Sequence, residues 1–171
     1  MFLTLFYIFE LMNDKNYTNK GVFTVAEIKR KLEHYCVYQD RCHKEVEAKL
    51  KEYNTATDAR ELILLSLMQD NFLNEERFAK SFTRGKFRIK KWGKNRIVRE
   101  LKFRDISAYN IKTALKEIDQ EEYITTLYNL VAKKNKLVTE TNIFKRKKKI
   151  LDYVLYRGFE PHLIYEAISA L

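Results

Sequence analysis

Apolar residues recur at three- and four-residue spacing along most of the chain, and the interruptions fall at residues that start or stop helices. Thr24 and Glu27 have capping-box spacing, a hydroxyl at the N-cap and a carboxylate three residues later. Ile28, Leu32, Tyr35 and Val37 then predict one helix to about residue 38. Asp40 is placed to cap a second helix, with an inner face of Val46, Leu50 and Tyr53. After the polar stretch 54–58, the segment ARELILLSLMQD predicts a third helix that buries Leu62, Leu65 and Leu67 or Met68. Asn71 follows where a helix ends in a left-handed residue, a conformation Asn tolerates next best after Gly.

Asn74 opens a long helix with an apolar row of Phe78, Phe82, Ile89 and Trp92. The opposite row is Arg77, Lys80, Arg84, Arg88 and Lys91, a spacing that sets five cations along one face. Gly93 ends this helix, and Ile97, Val98 and Leu101 form the face of the next. Asp119 and Glu122 make a second candidate capping box, opening a helix to about residue 135. The last pair spans about 143–157 and 160–170, with Gly158 as a C-terminal cap and Pro161 as a first helical residue.

A repeat underlies this order. A shift of 53 carries Ile97, Val98, Leu101, Ile106, Ile111, Ala114 and Leu115 onto Ile150, Leu151, Val154, Phe159, Ile164, Ala167 and Ile168. The same shift carries Asp105 onto Gly158, and a shift of 51 carries Val46, Leu50 and Asn54 onto Ile97, Leu101 and Asp105. A further shift of 46 takes Glu75, Glu76, Phe78 and Phe82 to Glu121, Glu122, Ile124 and Tyr128. The repeating unit is three helices of about fifty residues; counted from Val46, the last copy stops after two. The fold expected is all-α, an elongated, curved array of tandem three-helix repeats, with units at roughly 24–70, 71–118 and 119–171.

Composition agrees. Four Gly and one Pro are too few for a strand-and-turn protein, and 46% apolar with 13% aromatic residues supplies a core. Cys36 and Cys42 are the only cysteines, which fits reduced thiols and a cytoplasmic setting. The opening MFLTLFYIFELM is too short to span a bilayer and lacks a basic start and a small-residue cleavage site. Residues 1–23 are read as an extension, either docking its apolar strip or flexible, with Met12 as the alternative start.

Charge changes the picture most. Residues 77–104 hold twelve Lys or Arg and one acid, Glu100, whereas the whole chain is only +10. The window therefore carries the entire excess. A solubilising helix face ordinarily alternates signs, so this window points to a polyanion, nucleic acid first. A second run, Lys145, Arg146, Lys147, Lys148 and Lys149, cannot face one partner as a block, because successive helical residues point in different directions. Trp92 reads as a core anchor against Phe82 and Ile89 rather than as a base-stacking platform.

No catalytic constellation is present: there is no phosphate-cradling Gly-rich loop, no His-Glu-x-x-His and no nucleophile elbow. His34, Cys36, Cys42 and His43 have the wrong spacing for a metal knuckle, and His162 lies far from them. Neither a metal, a cofactor nor an enzymatic activity is expected.

Two segments, DNFLNEERFA at 70–79 and KWGKNRIVREL at 91–101, resemble the Gly-Tyr-Leu-Asp-Asp-x-Arg-Phe-Ala and Trp-Gly-x-x-Arg-Ile-x-x-Glu-Leu stretches of the RecX family. The likeness extends through Gly158 and Phe159 and covers about residues 24–170, with Asn71 standing where the family has Gly. The resemblance implies a non-enzymatic, monomeric regulator of recombinational repair and the SOS response. Such a protein binds the RecA filament on single-stranded DNA, lies in its groove, and inhibits its growth, ATP hydrolysis and strand exchange. Contact with single- or double-stranded DNA would be through phosphates. The contact candidates are Arg77, Lys80, Arg84, Arg88, Lys91, Lys94, Arg96 and Arg99, with Lys145, Arg146, Lys148 and Lys149 behind them. The competing expectation is a helix-turn-helix-like transcriptional regulator reading duplex DNA with the helices at 93–104 and 107–117.

Overall fold

The structure, a computed structural model, describes residues 23–171. The apolar N-terminal strip and the alternative start at Met12 lie outside the described residues. The helices are α1 (Val25–Tyr38), α2 (His43–Glu52), α3 (Thr57–Gln69), α4 (Glu75–Arg88), α5 (Lys94–Phe103), α6 (Ala108–Leu115), α7 (Gln120–Leu137), α8 (Ile143–Arg157) and α9 (Pro161–Ser169). The fold is all-α, built from successive sets of three helices. Packing divides the chain within α4: one compact unit ends at Phe78 and a second runs Ala79–Leu171.

In the first unit the capping box forms as the spacing predicts. Thr24 N donates to the Glu27 carboxylate at 2.7 Å, and Glu27 N donates back to Thr24 Oγ1 at 3.3 Å. The bond from Thr24 N, first, and one from the Thr24 hydroxyl to the same carboxylate at 3.0 Å hold the Glu27 pKa below the ordinary carboxylate value. Helices α1 and α2 each pack on α3, around Ile28, Leu32, Cys36, Val46, Leu50, Ile63 and Leu67. Three expectations are corrected here. Cys36, not Val37, continues the row Ile28–Leu32, and Val37 is exposed. The inward residues of α3 are Ala59, Ile63, Leu64 and Leu67, while Leu65 and Met68 face out and Leu62 is half-buried. The apolar run 62–65 spans more than one side of a helix, so spacing alone leaves its inward face open. Asp40 does not cap α2, whose N-cap is Cys42; its carboxylate accepts from Arg77 Nε at 2.8 Å instead. Cys36 and Cys42 are separate buried thiols, and burial raises the Cys36 pKa.

The second unit carries the repeat into three dimensions. Ile97 and Ile150, Leu101 and Val154, and Ala114 and Ala167 are all essentially inaccessible, as are Val46 and Leu50 in the first unit. Asn54, Asp105 and Gly158, the three residues aligned by shifts of 51 and 53, all have positive φ, at 49°, 59° and 89°. The shift of 46 fails: Ile124 is half-buried and Tyr128 exposed, whereas α7 buries Tyr123, Thr126, Leu127, Leu130 and Val131.

Helix α4 also departs from expectation. It ends at Arg88, its buried residues are Phe78, Ala79, Thr83 and Phe87, and Ile89 faces solvent. Lys91 takes φ 53°, and Gly93 becomes the N-cap of α5. Tertiary contact overrides the longer helical pattern. Gly93 N donates to Arg157 O at 2.8 Å and Asn95 N to Gly158 O at 3.0 Å, so the turn before α5 is clamped to the turn after α8. A Cβ at Gly93 would lie 2.3 Å from the Gly158 carbonyl and from Phe159 N, and one at Gly158 would lie 2.3 Å from Arg96 Cβ. Both glycines are there because two backbones touch.

Beneath the clamp, Tyr123 is fully buried, with ring centroids 4.9 Å from Phe159 and 5.8 Å from Phe87. Its hydroxyl accepts from Lys94 N at 3.0 Å and donates to the Glu160 carboxylate at 2.6 Å. Burial first, and then the bond to Glu160, push its pKa well above the ordinary tyrosine value.

Gly93→Ala is expected to cost at least about 2 kcal/mol, because the added carbon meets backbone rather than a movable side chain. Gly85→Ala, inside α4 with nothing within 4 Å of the added carbon, is expected to gain about 0.5–1 kcal/mol. Urea denaturation of both variants decides this. Tyr123→Phe orphans Lys94 N and the Glu160 carboxylate and should cost about 1–3 kcal/mol near neutral pH. Because the fold keeps the phenol neutral, its stabilisation is complete below the unfolded pKa of about 10 and is lost as pH rises beyond it. Urea midpoints across the alkaline range should therefore fall less steeply for Tyr123→Phe than for the parent.

Candidate nucleic-acid interface

The cations of the 77–104 window fall into two groups. The first group is engaged within the fold. Arg77, in the first turn of α4, is fixed by Asn74 Oδ1, which accepts from Arg77 N at 2.9 Å and so caps the helix. Its guanidinium donates to the Asp40 carboxylate, to Asn71 Oδ1 at 3.1 Å, and to the carbonyls of Asn71 and Phe72 at 3.0 Å. It braces the α3–α4 turn at the left-handed Asn71 (φ 58°). Arg84 pairs with Glu117 at 2.8 Å and Arg104 with Glu100 at 2.9 Å; Arg88 reaches Glu122 only at 4.0 Å. Lys80 is half-buried. Lys94 Nζ donates to Gln120 at 2.8 Å and lies 4.5 Å from the Tyr123 ring centroid.

Arg96 has the most elaborate setting. Its guanidinium lies 4.1 Å from the Trp92 ring centroid and 4.7 Å from that of Tyr156, and Nη1 donates to Tyr156 O at 3.1 Å. Planar guanidinium over an aromatic face is a favourable pairing that lysine reproduces poorly. Trp92 is correspondingly half-buried, with Lys86 Nζ 5.1 Å from its ring centroid. It works as a partner of cations rather than as the expected core anchor against Ile89, which is exposed.

The second group is Lys90, Lys91, Arg99 and Lys102. Lys90, Arg99 and Lys102 are exposed and Lys91 is half-buried; among the described residues none of the four makes an ion pair. Arg99 and Lys102 lie one turn apart on α5, and Lys90 and Lys91 stand on the turn clamped to Arg157. Lys90 and Lys102 carry no sequence signal that separates them from their engaged neighbours; only the pairing of the others reveals them. The second run divides the same way. Arg146 is tied to Asn135 through its side-chain oxygen and its carbonyl, both at 2.7 Å. Lys148 pairs with Asp152 at 3.1 Å and Lys149 with Glu140 at 3.2 Å, while Lys145 is exposed. The bond from Lys149, first, and the backbone donor of Asn142 hold the Glu140 pKa low. Among the described residues, no three His, Cys, Asp or Glu side chains gather as a metal site, and no helix is long and apolar enough to cross a membrane.

The architecture defines an all-α protein of tandem three-helix units with a cationic edge on the turn before α5 and on α5 itself. Residues 74–115 match the signature of the RecX second three-helix domain and residues 120–168 that of the RecX third three-helix domain, together more than half of the chain. The chain belongs to the RecX family. It is 23% identical over 137 residues to the regulatory protein RecX of Bacillus cytotoxicus, covering 80% of this chain and 51% of that protein. Against the regulatory protein RecX of Lactococcus lactis subsp. cremoris it is 28% identical over 141 residues, covering 81% and 52%. Against that of Lactobacillus gasseri it is 33% identical over 90 residues, covering 53% and 33%. The chain thus spans about half the length, or less, of the curated relatives it matches. These relatives are named as regulatory proteins, not as enzymes. A crystal structure of a regulatory protein RecX superposes with a TM-score of 0.77 at 23% identity, over 86% of this chain and 73% of that one. The crystal structure of RecX from Lactobacillus salivarius gives 0.75 at 22% identity, over 86% and 96%. The fold is shared.

The division of the cations predicts different costs for similar substitutions. Arg77→Ala should lose about 1.5–3 kcal/mol, since it removes charged hydrogen bonds to Asp40 and to two carbonyls. Arg99→Ala, exposed and without an ion pair, should stay within about 0.5 kcal/mol of the parent. Paired thermal and urea melts of the two variants measure the difference.

Proposed function

We propose that this protein binds the RecA recombinase filament assembled on single-stranded DNA and restrains its growth, ATP hydrolysis and strand exchange. Membership in a family of regulatory proteins supports the regulatory role. The observation that carries the contact is the group Lys90, Lys91, Arg99 and Lys102, cations that lack a carboxylate partner among the described residues. Unneutralised charge on a rigid edge attracts a polyanion and releases its counterions on contact. Arg88, loosely held at 4.0 Å from Glu122, and exposed Lys145 are the next contributors. Arg84, Lys94 and Arg96 are held by partners within the second unit and Arg77 by partners within the first, while Arg146, Lys148 and Lys149 of α8 have partners of their own. No bond is made or broken in this reading. Occupancy alone acts, by obstructing the addition of the next recombinase protomer or weakening its hold on the strand.

Substoichiometric protein should lower the DNA-dependent ATPase of RecA, with a larger effect on growing than on preformed filaments. Loss of the effect in an Arg99→Glu, Lys102→Glu variant of unchanged thermal stability would assign it to this edge. An unchanged ATPase at equimolar protein would overturn the proposal. Strong preference for one duplex over random duplexes would instead favour groove reading by α5 and α6.

A further inference from the structure

Tyr156, near the end of α8, is 72% exposed although the Arg96 guanidinium lies 4.7 Å from its ring centroid. One face of the ring is covered by a cation and the other is open. The arrangement is held from below. Arg96 donates to Tyr156 O and lies over Trp92, and its own helix begins at the clamp between Gly93 and Gly158. A flat aromatic surface fixed in advance loses little side-chain freedom when a ligand stacks on it.

The surroundings complete the picture. Arg157, next in sequence, donates through its guanidinium to Lys90 O, and its own carbonyl accepts from Gly93 N at 2.8 Å. Lys90 and Lys91 are therefore carried by a turn fastened to the same end of α8 as Tyr156. Arg99 follows Arg96 by one turn of α5 and Lys102 follows by another, so one pair of cations is carried by the helix that bears Arg96 and the other by the turn fastened to Arg157.

We propose that Tyr156 is a stacking platform for one unpaired nucleobase, with Lys90 and Lys91 of the turn and Arg99 and Lys102 of α5 engaging the adjoining phosphates. The ligand class is single-stranded polynucleotide. A ring face accepts any base, whereas the bases of a duplex are already stacked and offer none. An acidic peptide would use the cations and leave the ring idle. The site deepens the nucleic-acid half of the proposed function and rests on it; its test omits the recombinase, so that the two readings fail separately.

The test compares binding of the full chain to a fluorescent oligothymidylate and to an abasic deoxyribose-phosphate strand of equal length at fixed salt. The parent should prefer the thymidylate. Tyr156→Ala should weaken thymidylate binding roughly ten-fold and leave the abasic strand within about two-fold. Tyr156→Phe, which keeps the ring, should retain the preference. Arg99→Gln with Lys102→Gln should weaken both strands and flatten the dependence of affinity on salt by roughly one to two in log–log slope. Equal binding of the two strands by the parent, an equal loss on both with Tyr156→Ala, or failure of Tyr156→Phe to keep the preference would each overturn the proposal. A thymidylate preference together with an unaffected RecA ATPase would uphold the platform and reject only the recombinase reading.

Discussion

Everything distinctive in the second unit depends on two stretches of backbone being allowed to touch. The turn before α5 and the turn after α8 exchange hydrogen bonds through Gly93, Asn95, Arg157 and Gly158, at a separation that leaves no room for a side chain on either glycine. The contact fixes where α5 begins, and so which residues of the basic window are carried on its exposed side. Tyr123 extends the constraint inward, joining Lys94 of one element to Glu160 of another through a single buried hydroxyl. The clamp is polar and directional, so it sets orientation; the apolar packing of Phe87, Tyr123 and Phe159 beneath it supplies the attraction.

The basic window gains a different meaning from this geometry. A field of twelve cations looks uniform along the chain, yet the fold uses several as internal fittings. Arg77 satisfies the carbonyls of a left-handed turn, Arg84 and Arg104 neutralise carboxylates, and Arg96 fills the space between two rings. What is left over is small and local. Arginine predominates among the fittings and lysine among the remainder, as expected from a planar fork that matches carbonyls and rings and a flexible, strongly hydrated ammonium.

Features written within a few residues of one another were legible in the sequence. The Thr24–Glu27 box, the positive φ at Asn71, the Pro161 start and the Gly158 cap follow from local chemistry, and the core repeat with its matched turns at Asn54, Asp105 and Gly158 from spacing; the left-handed backbone at Asn54 and Asp105 is visible only in the structure. The inward side of α3 was not legible, because an apolar run gives no direction. Nor was the early end of α4, since the residues that stop it are its partners at the clamp, more than sixty positions away, as the Arg157 bond to Lys90 illustrates. The candidate site was legible as a window and not as residues: Lys90 and Lys102 stand out only once Arg77, Arg84 and Arg96 are seen to be occupied. Tyr156 gave no signal at all, since the arginine that covers its ring stands sixty residues earlier.

The position of Trp92 has a spectroscopic consequence. It is the chain's single tryptophan, and it lies under Arg96 at the clamp itself. Its indole emission therefore reports one event, the docking of the α5 turn onto α8, without contributions from elsewhere in the molecule. Circular dichroism counts helical residues throughout the chain and is nearly blind to whether neighbouring repeats are joined. Recorded together, the two signals separate the formation of helices from their fastening.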